Sequence, residues 1–272
     1  MEVIIKPKSR RTVWDDLRLI WSYRELAWIL SMREISVRYK QAVIGVLWVV
    51  LQPLIMTAVF TFVFSYLARV PSDGAPYPVF VFSGQLLWQF FARSVTEGSA
   101  SLVSNKDMIT KVYFPRQILP ITIPISAMID TGIAFVILYI LCLFYGIFPG
   151  LEILVVPFVL ILMAMLGYGI SLWTAPLNAI YRDIGIALPF VVQIMMFLTP
   201  VIYPVSFVPE QYQWIFYLNP MATLIEINRW AFLGTPFPAW EALAGAVALT
   251  GVILYFGFGV FRKLETTLID RI

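Results

Sequence analysis

Histidine is absent from this 272-residue chain, and cysteine occurs once, at Cys142. Without histidine the commonest general base and the commonest metal ligand are missing. One cysteine permits neither an intrachain disulfide nor a thiolate metal cluster, and Cys142, set in an apolar run, reads as a small buried or lipid-facing side chain. Charge is scarce too: Asp, Glu, Lys and Arg make up 13% of the residues, about half the share of a soluble domain. The net charge of +3 is too small to point to nucleic acid. No G-x-x-x-x-G-K-[S/T] occurs, so the chain has no phosphate-cradling P-loop of its own. H-E-x-x-H, G-x-S-x-G and any carboxylate cluster with ligand spacing are missing as well. The expectation is a chain without catalytic residues, metal or cofactor.

What the chain has in abundance is apolar surface. Hydrophobic residues make up 60% and aromatics 16% of it, more than water can face, so lipid is the expected solvent. A helix crosses a bilayer core with about 20 mostly apolar residues. Six stretches qualify: Val43 to Leu67, Val79 to Ser101, Gln117 to Phe148, Ile153 to Ile180, Ile184 to Tyr203 and Ala242 to Phe261. The second carries Arg93 and Glu97 and is the least typical. Cationic residues set the orientation. With the start of the chain inside, seventeen Lys/Arg fall in inner segments and only Arg69 and Arg229 outside. Both termini are expected in the cytoplasm. Residues 1–41 lack the apolar core and cleavage site of a signal peptide and are expected to persist as a cytoplasmic and interface segment.

Segment 23–40, YRELAWILSMREISVRYK, has helical spacing, with Trp28, Met32, Ile35 and Tyr39 on one face and Glu34 and Arg38 paired on another. A basic amphipathic helix ahead of a span is expected in the membrane interface; a helix packed on a partner is the alternative. Residues 206–240 form the long outer loop. Its prolines divide it into two amphipathic pieces, Pro209 to Leu218 and Met221 to Leu233, expected as re-entrant or surface-lying helices at the outer mouth. The whole reads as one all-α transmembrane domain, 1–272.

Asp130 stands alone within its span, and an isolated intramembrane carboxylate is either a pathway or gating group or a polar contact between helices. Tyrosines and tryptophans gather at span ends, where a belt at the lipid interface explains them. The other reading has Trp88, Phe90, Phe91, Tyr203, Trp214 and Tyr217 lining a conduit for sugar rings. The small residues of the last span permit close helix packing.

Several stretches then match a family in order: VRYKQAVIGVLWVVLQPLIMTAVFTFVF (37–64), YPVFVFSGQLLWQFF (77–91), NKDMITKVYFPRQILP (105–120), YRDIGIALPFVVQIMMFLTPVIYP (181–204) and LNPMATLIEINRWAFLG (218–234). From about residue 25 onward the chain resembles the membrane subunit of ABC-2-type polysaccharide exporters, the permeases that move lipid-linked O-antigen, teichoic acid or capsule chains out of the bacterial cytoplasm. The resemblance implies an inner-membrane homodimer forming a channel, and a separate nucleotide-binding ATPase subunit that holds ATP and magnesium. It implies that residues 101–116 form a coupling helix docking into that ATPase through Asn105, Lys106, Asp107, Met108, Ile109, Lys111, Tyr113, Phe114 and Arg116, with Pro115 ending the helix. Read without the family, the same cations obey the inside-positive rule and the aromatics belong to the belt. Arg33, Arg38 and Lys40 are expected to meet the anionic head of the lipid carrier. The rival functions are an exporter of a drug or other hydrophobic small molecule, and a membrane-embedded glycosyl- or acyltransferase.

Overall fold

A computed structural model of the chain describes residues 12–40 and 47–269. The expected start of the first span, 43–46, and the cation Arg271 lie outside the described residues. Among the described residues eleven α-helices follow one another: α1 (Val13–Ser22), α2 (Arg24–Lys40), α3 (Leu47–Phe60), α4 (Tyr77–Ser104), α5 (Lys106–Lys111), α6 (Ile118–Phe144), α7 (Val156–Ile180), α8 (Asp183–Leu198), α9 (Glu210–Tyr217), α10 (Pro220–Leu233) and α11 (Trp240–Ile269). A π-helical segment, Thr61–Leu67, prolongs α3, and a 3-10 turn, Leu151–Val155, leads into α7. The described residues are all-helical or irregular, in keeping with the absence of any alternating apolar pattern in the sequence.

Among the described residues four helical stretches are long and apolar enough to cross a membrane: Val50–Leu67, Ile118–Phe144, Leu151–Ile180 and Trp240–Glu265. The other two expected spans depart from that standard in opposite ways. Helix α4 has 28 residues, ample length, but carries Arg93 and Glu97 and a serine-rich inner third. Helix α8 is apolar but has only 16 residues, about 24 Å of helix against a hydrocarbon core of about 30 Å. Its expected end at Tyr203 is too late. Thr199 is already extended, because the residue before a proline is pushed out of the α region and Pro200 follows. The third expected span likewise stops at Phe144, where Gly146 takes a left-handed φ of 74° and Pro149 follows.

Helix α4 is the axis of the bundle. From Val79 to Leu87 every side chain is buried, and Trp88, Phe90, Phe91 and Val95 continue the core. Its neighbours are α7 and α6 on its longest flanks, with α3, α8 and α10 closing the rest. Helix α3, by contrast, leaves Leu47, Trp48, Ile55, Val59 and Phe62 exposed on its outer side. The core divides into two clusters. The larger lies along the middle and outer part of α4; the smaller gathers Leu30, Leu102, Phe114, Ile118, Leu172, Phe258 and Phe261 at the inner end. Helix α1 joins that inner end through the ion pair Arg262 Nε to Asp16 Oδ2, 3.4 Å. A capping box between Thr12 and Asp15 sets its start.

The two outer pieces take different positions. Helix α9 buries none of its residues, whereas α10 is buried along almost its whole length. Asn219 caps α10, and Gly234 ends it at a φ of 67°. Arg229, one of the two cations expected outside, is 2% exposed. It donates to the carbonyls of Pro200 at 2.8 Å and Val201 at 2.6 Å, and its guanidinium lies 3.6 Å from the centroid of the Phe80 ring. Tyr77 donates to Ile202 O at 2.7 Å, Asn228 to Ser83 O at 3.0 Å and Asn219 to Thr199 Oγ1 at 2.9 Å. The turn that α8 leaves open after Thr199 is thus satisfied by side chains from α4 and α10, as backbone at membrane depth requires.

Gly84 makes that clamp possible. A Cβ there would stand 2.9 Å from the Arg229 Nη2 and 3.0 Å from Val201 O. Gly84→Ala is expected to lower stability by about 1–3 kcal/mol through overpacking, read as a drop in the thermal midpoint of the purified protein. An unchanged midpoint would show that the clamp does not hold the outer turn.

Candidate functional site

The polar residues of the bundle converge at one level. On α4, Arg93 and Glu97 are one turn apart; on α6, Ser126 and Asp130 are likewise one turn apart, so each helix offers its pair on a single face. Helix α2 brings Arg38 and Tyr39 from its last turn. Arg38 Nη2 lies 2.9 Å from Glu97 Oε2 and its Nη1 3.0 Å from Asp130 Oδ2. Arg93 Nε lies 3.1 Å from Glu97 Oε2, and its other nitrogens reach Asp130 and, at 3.2 Å, Ser126 Oγ. The Tyr39 hydroxyl donates to the second oxygen of Asp130. Burial first, and then that hydrogen bond, push the Tyr39 phenol up to about 12, so it stays protonated and keeps donating. Two guanidiniums face two carboxylates, and the cluster is locally neutral.

The solitary Asp130 of the sequence is therefore the centre of a network. Sequence spacing contained half of it: Arg93 and Glu97 form a visible i, i+4 pair, but nothing local links them to residue 130 or to residue 38. The link is the course of α2. It runs beside the inner half of α6 in the same direction, with Ser31 donating to Thr122 O at 3.2 Å near one end and Arg38 reaching Asp130 at the other. Its buried residues are Ala27, Leu30 and Ser31, and Arg38 and Tyr39 continue the contact with α6, while Met32 and Ile35 are half-buried. Trp28 is 54% exposed. Small and polar residues win the contact because they let two helices approach closely. Arg38 is engaged in ion pairs, while Arg33 and Lys40 remain exposed.

Beside the network lies a groove of about 420 Å³, walled by Trp48 and Gln52 of α3, floored by Gln89, Phe90 and Arg93 of α4, and closed by Asp130 of α6. Helix α3 with its π-helical extension counts 14 and 7 residues, about 30 Å in all. Trp48 belongs to its first turn, so groove and charges stand one bilayer-core length from its far end.

The remaining site residues are distributed in three places. In the segment after α4, Lys106, Asp107, Lys111 and Tyr113 are exposed, Tyr113 at 96%. Phe114 is buried, and Met108 and Ile109 pack on the same inner cluster. Asn105 bonds back to Ser101 O at 2.9 Å, and Arg116 is half-buried. The helix ends at Lys111 and the chain is already extended at Val112, so Pro115 does not terminate it. Among the aromatics, Trp88 and Phe91 meet in a tilted contact, ring centroids 5.5 Å apart, and face an apolar cavity of about 550 Å³ shared with α8 and α10. Phe90 faces the polar groove instead. Tyr203 meets Phe216 edge to face, Tyr217 is half-buried and Trp214 is 61% exposed. These six side chains do not share one wall within a single copy of the chain.

Side-chain exposure orders the network: Asp130 14%, Arg93 15%, Arg38 32% and Glu97 44%. Removing Asp130 leaves two guanidiniums sharing the single carboxylate of Glu97 in a partly dry site, whereas removing the more solvated Glu97 leaves both on Asp130. Asp130→Ala is expected to lower stability by about 1–3 kcal/mol and Glu97→Ala by less than about 1 kcal/mol, measured as thermal midpoints in detergent. Equal effects would contradict a network centred on Asp130.

Comparison with known proteins fits this arrangement. The ABC-2 type transporter family model matches residues 25–233. An O-antigen export system permease protein RfbA from Klebsiella pneumoniae is 30% identical over 247 residues, covering 89% of this chain and 92% of that protein. Its namesake from Myxococcus xanthus is 27% identical over 251 residues, covering 91% and 95%. The polysialic acid transport protein KpsM of Escherichia coli is 24% identical over 247 residues, covering 88% and 93%. With nearly all of α2, the charged helix α4 and the buried helix α10 inside the matched region, the chain belongs to the ABC-2 type transporter family.

Proposed function

We propose that this chain is the permease subunit of an ATP-driven exporter that carries lipid-linked polysaccharide across the bacterial inner membrane. The observation that carries the reading is the likeness, over nearly the whole length, to O-antigen and polysialic acid export permeases. The chemistry of the chain agrees with it: there is no phosphate-binding loop or catalytic cluster in the sequence, so energy and cargo assembly come from elsewhere. ATP and magnesium belong to a separate nucleotide-binding subunit.

In this reading the bundle crosses the membrane six times. Helix α4 serves as a span because its neighbours, not lipid, surround it, and α8 because the clamped turn after Thr199 completes its depth. Both termini are cytoplasmic, where inside-positive counting puts them. The charge layer around Asp130 then lies at the inner boundary of the hydrocarbon, and the inner thirds of α4 and α6, with α2, stand in the interface beneath it. Exposed Arg33 and Lys40 are placed to meet the lipid carrier's anionic head; Arg38, neutralised by two carboxylates, holds the structure instead. The exposed sides of α3 and α8 form the seam of a homodimer, and the conduit aromatics are completed across it. Helices α9 and α10 form the outer gate.

The coupling segment has two faces with separate tasks. Lys106, Asp107, Lys111 and Tyr113 face outward to the ATPase, while Met108, Ile109 and Phe114 fix the segment to the inner core that also holds α2 and α11. A push on α5 is thereby delivered to the helices that flank the groove. Lys111→Glu combined with Tyr113→Ala is expected to leave membrane insertion normal, abolish copurification of the ATPase and reduce surface polysaccharide about tenfold or more, since exposed anchors of this kind dominate docking energies. Full retention of the ATPase would remove the docking role. Phe114→Ala acts differently, costing about 3 kcal/mol of stability as a core truncation, visible as a lower thermal midpoint before any loss of partner binding.

A further inference from the structure

The ion pairs between α2, α4 and α6 account for the charged residues that line the groove beside them. Yet two carboxamides, Gln52 of α3 and Gln89 of α4, also line the groove, outside the four ion pairs. Carboxamides at the edge of the hydrocarbon are costly unless they meet water or a polar ligand. Trp48 stands at the rim with 52% of its surface exposed, and Phe90 forms part of the floor. A volume of about 420 Å³ falls within the range of about 300–1,000 Å³ found for small-ligand sites.

The charges decide what kind of ligand fits. Arg38 and Arg93 each face both Glu97 and Asp130. An anion such as pyrophosphate would have to displace a carboxylate from a guanidinium and leave that carboxylate unpaired, which is unfavourable in a partly dry site. A neutral hydroxyl makes no such demand. It donates to the spare lone pairs of Glu97 or Asp130, each carboxylate having about four acceptor sites, and it accepts from Gln52 or Gln89. A flat aromatic face at the rim completes the contact with the apolar side of a ring. We propose that this groove is a binding subsite for neutral, hydroxyl-rich sugar units, at the cytoplasmic mouth of the transport path. The inference rests on the polysaccharide-exporter reading and adds to it a place and a chemistry.

The test uses the full chain in lipid nanodiscs, with neutral oligosaccharides cut from the surface polysaccharide of the cell that carries it, and inorganic pyrophosphate as the second probe. Saturation-transfer NMR titration gives the apparent Kd. Trp48→Ala, and Gln52→Leu with Gln89→Leu, are each expected to raise the oligosaccharide Kd about tenfold, the equivalent of one or two lost polar contacts. Trp48→Phe, which keeps a flat ring, is expected to recover most of the loss. Pyrophosphate is expected not to compete. Three results would overturn the subsite: no oligosaccharide binding, an unchanged Kd in variants whose thermal midpoints match the parent, or competition by pyrophosphate. Complementation of an export-deficient strain keeps the two readings separate. Restored surface polysaccharide with an unchanged Kd in the variants removes the subsite alone; failure of the parent chain to restore export removes the functional reading.

Discussion

The central constraint in this molecule is the polarity of its axial helix. Helix α4 carries an arginine, a glutamate, two glutamines and several serines through the middle of an otherwise apolar bundle. Lipid offers none of these groups a hydrogen bond. Helices around α4 bond to it: Thr57 of α3 donates to Gln85 at 3.1 Å, and Ser171 and Asn178 of α7 donate to the backbone carbonyls of Ser94 at 2.9 Å and Ser99 at 3.1 Å. Asp130 and Ser126 of α6 take Arg93. Helices α6 and α7 pack longest against α4, and α3, exposed along one side, is a peripheral helix.

The two ends of that axis are organised differently. The outer end is closed by an uncharged-acceptor clamp: Arg229 gives its protons to two backbone carbonyls and its face to Phe80. Such an arrangement fixes an irregular turn in a dry environment. The inner end is a layer of alternating charge, partly open to solvent, that joins three helices through side chains alone. Ion pairs among long side chains rearrange with small shifts of the helices that carry them, so the inner layer is suited to movement and the outer clamp to rigidity. Met108, Ile109 and Phe114 seat the segment after α4 on the smaller core cluster.

Much of the architecture is legible in the sequence because hydrophobic runs, prolines and cation counts act locally. The positions of α6, α7 and α11, the division of 206–240 into α9 and α10, and the helix over 24–40 all follow from composition within a window. The misplaced ends of the third and fifth spans come from the same kind of signal, read too loosely at Gly146 and Pro200. The site residues are less legible. Asp130 looked isolated because its partners lie 37 and 92 positions away. Arg229 looked like an exception to inside-positive counting, and the structure shows it buried and consumed by the fold. Phe114 and Tyr113 are neighbours of like character in the sequence, and only packing separates the buried anchor from the exposed one.

The sequence by itself determined the class of molecule: an apolar helical chain with long hydrophobic runs and few charges, most of them gathered between those runs. Those properties follow from residue identity and short-range periodicity. Only the tertiary structure decided that α4 is the axis, that α2 runs along α6 and turns its small-residue face inward, and that Arg38, Arg93, Glu97 and Asp130 make one neutral layer beside a polar groove. Each of these depends on which helices touch. That is settled by the need to satisfy buried polar groups across long sequence separations, and no local pattern records it.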